Sequence, residues 1–99
     1  MAAFVISEVE ILDEEIANHY RRLAAASIAE YGGRYLARAA EVQVVEGAPT
    51  TQRMVIVEFP SLARAQGWYG SSSYAEALKL RGRALNRRLI FVEGVLPSV

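Results

Sequence analysis

The chain contains no cysteine, which excludes disulfides and thiolate metal sites and fits a reducing compartment. It has a single histidine, His19, and no further ligands at metal-binding spacing around it, so no metal site is expected. No apolar run approaches the roughly 20 residues that span a bilayer. The N-terminal Met-Ala-Ala-Phe-Val-Ile-Ser-Glu lacks a basic flank and a long apolar core, so it does not read as a signal peptide, and a soluble cytoplasmic protein is expected. Net charge is also absent: eleven basic and eleven acidic side chains cancel. A neutral chain has no global field to recruit nucleic acid or an anionic membrane, and neither is expected as a partner. Glycine-rich phosphate loops are missing too, because Gly32-Gly33 follows a helical pattern instead of opening one and lacks the Lys-Ser/Thr of a P-loop.

What is present is a folding composition. Of 99 residues, 53% are apolar, and no stretch is polar enough to argue disorder, so residues 1–99 are read as one small domain. Charge is unevenly placed. Residues 1–15 carry five acids and no base, whereas 79–88 carry Lys79, Arg81, Arg83, Arg87 and Arg88 and no acid. Solvated faces, or a charge match within or between subunits, account for such runs.

Residues 3–11 are β-branched and partly alternating, and predict a strand. Asp13 follows as an N-cap with Glu14 and Glu15 in the first turn, where acids complement the helix dipole. Ile16, Tyr20, Leu23, Ser27 and Tyr31 recur at helical spacing, and Gly32-Gly33 ends that helix. Residues 34–46 read as a second strand region, long enough for a bulge near Ala39-Ala40, and Arg53–Phe59 as a third strand. Ser61 caps a short helix to about Tyr69. Gly70-Ser71-Ser72 breaks the chain, and Ser73-Tyr74-Ala75-Glu76 matches a capping box opening a helix to about Leu85. Leu89–Val95 is the last strand, closed by Gly94 and Pro97.

The order β-α-β-β-α-β, with the second helix split, predicts an α+β ferredoxin-like sandwich: a four-stranded antiparallel sheet with helices on one face. Strands three and four are apolar on both faces, with Met54 and Ile56 against Val55, Val57 and Phe59, and Leu89 and Phe91 against Ile90 and Val92. Helices cover one face only, so the other would be a large exposed apolar patch. A second copy packed sheet to sheet removes it, and a homodimer is expected.

The candidate site residues gather around the segment from Glu58 to Tyr74. Trp68, Tyr69 and Tyr74 concentrate aromatic surface there, either as core or as the wall of a pocket for a planar or apolar ligand. Arg81 falls on the stripe Tyr74, Leu78, Arg81, Leu85, where a buried guanidinium needs a carboxylate or an anionic ligand. Glu58 or Glu93 would serve as an ion-pair partner; otherwise its head reaches water or clamps an anion. Arg38, within strand two among small residues, either pairs across the sheet or points into a cavity, where its fork suits a carboxylate. His19 beside the apolar stripe and Tyr20 on it are the candidates for proton donor or acceptor.

The segments Gly32-Gly33-Arg34-Tyr35-Leu36-Ala37-Arg38, Val45-Glu46-Gly47, Arg53–Ser61 and Trp68–Tyr74, together with Arg81, closely resemble the bacterial family of domain of unknown function 1330 (DUF1330). The resemblance covers nearly the whole chain. It implies the dimeric α+β barrel superfamily, whose members include cofactor-free monooxygenases, muconolactone isomerase-like enzymes and haem proteins, often with a pocket between sheet and helices. The family usually follows Leu-Ala-Arg with glycine, whereas this chain has Ala39-Ala40, whose methyl groups would narrow space beside Arg38.

The functional expectation is a small homodimer binding a small organic anion, without a cofactor, through Arg38, Glu58, Trp68, Tyr74 and Arg81. As an enzyme it would be an isomerase or monooxygenase-like protein by analogy. The alternative is a non-catalytic assembly or accessory protein with structurally paired arginines.

Overall fold

Alternating β-branched residues and helical stripes in this order leave one economical arrangement, and the computed structural model, which describes residues 1–95, adopts it. The elements are β1 (Ala3–Ile11), α1 (Glu14–Glu30), β2 (Arg34–Ala40), β3 (Arg53–Phe59), α2 (Leu62–Tyr69), α3 (Ser72–Ala84) and β4 (Leu85–Glu93). The four strands form one antiparallel sheet in the order β2-β3-β1-β4. This is the ferredoxin-like α+β fold. Pro97, expected to close the last strand, lies outside the described residues.

Local chemistry sets the boundaries. Asp13 caps α1 by accepting the Ile16 N–H at 3.0 Å, and Ser61 caps α2 by accepting from Arg64 at 3.1 Å. Gly32 leaves α1 at φ 79°. Gly33 is required for a different reason: a Cβ there would lie 2.7 Å from Ile28 Cγ2 and 2.8 Å from a Phe59 ring carbon.

Three boundaries differ from expectation. The cap of α3 is Ser71, not Ser73: its hydroxyl accepts the Tyr74 N–H at 3.1 Å and donates to the Trp68 carbonyl at 2.7 Å, tying both short helices together. Glu76 does not complete a capping box and pairs with Lys79 instead. β2 ends at Ala40 and the chain is irregular from Glu41 to Gln52, after two register shifts against β3 and a left-handed Ala39 (φ 53°). β4 begins at Leu85, directly after α3, not at Leu89. Leu85, Arg87, Leu89 and Phe91 alternate on one face, and that period-2 pattern wins over the basic run that had masked it.

All three helices pack on one face of the sheet. There Val5, Val9, Val57, Phe59 and Leu85 meet Tyr20, Ile28, Trp68 and Tyr74 in the core. The opposite face is bare. Its central row is Ala37, Ile56, Ile6 and Ile90, each beside the next across the strands, with Phe4 and Val92 in the adjoining row.

Candidate functional site

Helix α1 turns Ala17, Tyr20, Ala24, Ser27 and Ile28 inward, and three of these are small. Between them and the sheet lies a cavity of about 70 Å³, room for roughly five water-sized groups. Its lining is mainly aliphatic, from Val5, Val9, Val57, Ala24 and Leu85. The polar groups on its wall are Arg21, Arg38, Arg53, Arg87, Tyr20, Tyr35 and Ser7. Four guanidiniums and no carboxylate line it among the described residues.

Sheet register explains how they converge. Val9 pairs with Arg53 on one side and Arg87 on the other, so both arginines flank the cavity end of β1. Arg38 reaches the same space because β2 gains a residue between Tyr35 and Ala37, which turns Arg38 toward the helices. Its guanidinium lies 4.4 Å from the centre of the Tyr35 ring, a cation–π contact. Arg53 and Arg21 stand at loose distances from exposed acids, 3.8 Å from Glu41 and 3.9 Å from Glu14, which commits little of their charge.

Arg87 holds the most ordered group. It donates from Nη1 to the Tyr20 hydroxyl and from Nη2 to the Tyr74 hydroxyl, both at 2.7 Å, and the two hydroxyls are 2.5 Å apart. Among the described residues it has no carboxylate partner. Proton accounting fixes the direction of the tyrosine pair. Tyr74 is fully buried and off the cavity wall, so its proton has one acceptor, the Tyr20 oxygen. The reverse arrangement would strand that proton in the core. Tyr20 accepts from both neighbours and its own proton is left for the cavity.

Burial pushes the Tyr20 phenol above its usual range; Tyr74 adds to the shift and Arg87 opposes it. For Arg87, burial acts to lower the pKa, but the phenol oxygens outweigh it and the net shift is upward. Burial also raises Tyr35, against the pull of Arg38. At neutral pH the wall therefore presents cations and protonated phenols. It can hold an anion and polarise an acceptor, and among the described residues it carries no imidazole or carboxylate to take a proton.

The predicted residues divide. Arg38, Trp68 and Tyr20 line the cavity, and Tyr74 supports it through Tyr20. Trp68 is chiefly core: its Nε1 donates to Ser27 at 3.0 Å, and its ring lies 5.4 Å from Phe59 and 4.2 Å from Tyr74. Three residues are not brought in. Glu58 lies on the bare side of the sheet and pairs with Arg34 at 2.7 Å, so it is no partner for Arg81. Arg81 is half-buried on α3 and does not reach the cavity, and His19 is exposed on α1 and likewise outside it. Arg87, Arg53, Tyr35 and Ser7 went unrecognised. The signal for Arg87 is its place between Leu85 and Leu89 on an apolar strand face, which falls in the connection when the strand is started at Leu89.

Known proteins share this architecture. A protein of unknown function from Rhodopseudomonas palustris, RPA0582, has a crystal structure with TM-score 0.75 and 21% identity, covering 97% of this chain and 84% of its own. Its methylated form gives 0.76 and 19%, covering 99% of this chain and 84% of its own. A Bacteroides fragilis NCTC 9343 protein, described as dimeric, of unknown function and of ferredoxin-like fold, gives 0.61 and 16%, covering 94% of this chain and 96% of its own. No curated protein matches the chain. The sequence itself matches the family described as domain of unknown function (DUF1330) over residues 2–95, nearly its full length, and the chain therefore belongs to the DUF1330 family.

Proposed function

We propose that this protein binds a small organic anion with an apolar body in the cavity between sheet and α1, and that it does so as a homodimer. The observation carrying the first part is the lining: an aliphatic space bordered by Arg21, Arg38, Arg53 and Arg87 with no carboxylate among the described residues. Unbalanced guanidiniums around an apolar space favour a ligand that brings negative charge and a hydrocarbon body. A volume of about 70 Å³ limits the enclosed part to a handful of heavy atoms. Holding and polarising such a ligand fits this wall better than proton abstraction, because no imidazole or carboxylate among the described residues faces the cavity. The accessory-protein reading with paired arginines has less support, since neither Arg38 nor Arg81 forms an ion pair among the described residues.

Dimerisation is supported by the bare row Ala37, Ile56, Ile6 and Ile90, and by the structural neighbour described as dimeric. Burying that row removes apolar surface that a soluble monomer would leave wet. In light scattering the protein is expected at twice its 10.9 kDa chain mass, and a single-chain mass overturns this part.

Thermal-shift measurements with short-chain carboxylates test binding. The wild type and Arg81→Met should be stabilised and Arg87→Met should not. Absence of any shift in the wild type overturns the reading.

A further inference from the structure

One polar atom on the cavity wall has no partner. Ser7 is 5% exposed, its Oγ is buried, and it is the sole buried side-chain polar atom without a hydrogen bond among the described residues. Such groups are rare, and each calls for an explanation. Ser7 interrupts the apolar series Val5, Ser7, Val9 on the helix-facing side of β1, where valine or alanine would pack at no polar cost. It pairs with Val55 and Leu89, neither of which offers a side-chain partner, and it lines the cavity.

Its position relative to the other donors is set by register. Val9, one side-chain step along β1 and about 7 Å away, pairs with both Arg53 and Arg87. Tyr20, anchored by Arg87 and Tyr74, directs its remaining proton into the same space. Inside the cavity two neutral hydroxyls thus await an acceptor, while around it Arg38 has no ion pair among the described residues and Arg53 and Arg21 have only loose ones, to Glu41 and Glu14. A ligand matching both features has two polar ends: an anionic group and, a short hydrocarbon spacer away, a neutral oxygen acceptor.

Resting on the reading that the cavity binds an organic anion, we infer that its ligand class is a small oxo-carboxylate whose carbonyl oxygen accepts hydrogen bonds from Ser7 Oγ and the Tyr20 hydroxyl while its carboxylate meets the arginines. A carboxylate seated directly on Ser7 and Tyr20, or a buried water satisfying Ser7, are the competing arrangements, and neither would make binding depend on a ketone.

The test is calorimetric titration with 4-oxopentanoate and with pentanoate, which lacks only the ketone. Wild type is expected to bind the oxo acid about tenfold or more tightly than pentanoate, the order given by two net hydrogen bonds. Ser7→Ala and Tyr20→Phe should each lower that preference severalfold, read as the ratio of the two affinities within each variant, because Tyr20 also anchors Arg87. Circular dichroism and thermal melts confirm folding of both variants. Equal binding of the two acids by wild type overturns this inference and leaves the anion reading standing. A preference that survives both substitutions also overturns it. Failure of both acids to bind overturns both readings.

Discussion

The space between helices and sheet has two unlike ends. At one, Phe59, Trp68, Tyr74, Tyr69 and Phe91 touch ring to ring, with centroid separations from 4.2 to 6.2 Å, and the one indole N–H finds Ser27. At the other, Val9 is flanked by Arg53 and Arg87 and the layers enclose a void. The first end is the more conspicuous in sequence and is filled; the second is inconspicuous and hollow. Aromatic density near helix caps therefore marks where layers are clamped together. The open space lies where small residues on α1 face charged residues on strand ends.

That contrast can be broken experimentally. Trp68→Ala should have the largest effect, lowering stability by about 3–5 kcal/mol in urea unfolding, because it empties the clamp and frees the Ser27 hydroxyl. A loss near 1 kcal/mol would mean the filled end is not structural. Arg87→Met should cost only about 1 kcal/mol in the same assay, since lost bonds to two phenols are partly offset by relief of guanidinium desolvation. A cost matching that of Trp68→Ala would erase the distinction between the ends.

Alkaline titration sharpens the comparison further. Tyr20 keeps its proton in the folded protein above the ordinary phenol value of 10.0, whereas the unfolded chain releases it there. Stability should therefore be flat below about pH 10 and fall as pH rises beyond it, where the unfolded state binds fewer protons. Tyr20→Phe should make that fall shallower, and an unchanged slope in denaturant midpoints would contradict the buried-phenol account. The smallest effect is expected at Ala39, which lines the hollow end with φ 53°. Ala39→Gly relieves left-handed backbone at some entropic cost and should raise stability by about 0.5–1 kcal/mol. A loss in thermal unfolding would show that the methyl is needed for packing.

The fold was legible because its signals are local. Asp13, Ser61 and Gly32 act at helix ends as their side chains or lack of one require, and the two-faced apolar β3 calls for cover on both sides. The site was only half legible. Arg38, Trp68 and Tyr20 stood out as charge or hydroxyl among apolar neighbours. Arg81 stood out by the same rule, yet the helical period that singled it out has no counterpart in the cavity. Arg87 obeys a strand period that begins at Leu85, four residues before the apolar run from Leu89 announces a strand. Ser7 carried no sequence signal beyond one hydroxyl among valines; its meaning arises only when α1, β3 and β4 close around it without supplying a partner.

The extra residue between Tyr35 and Ala37 has a further consequence. Side chains on a regular strand alternate strictly, so the residue taken up in this bulge lets Tyr35 and Arg38, three apart, share one face. Arg38 owes its place on the cavity side to a count, not to its own chemistry. Deleting Leu36 would leave Ala37 opposite Ile56 and Arg38 on the cavity side of an unbroken ladder, whereas pairing Leu36 itself with Ile56 would send that guanidinium through the sheet and onto the apolar row of the bare face. In this strand the ladder is an address: the same arginine borders the cavity or enters the bare apolar row according to whether the extra residue is taken up in a bulge.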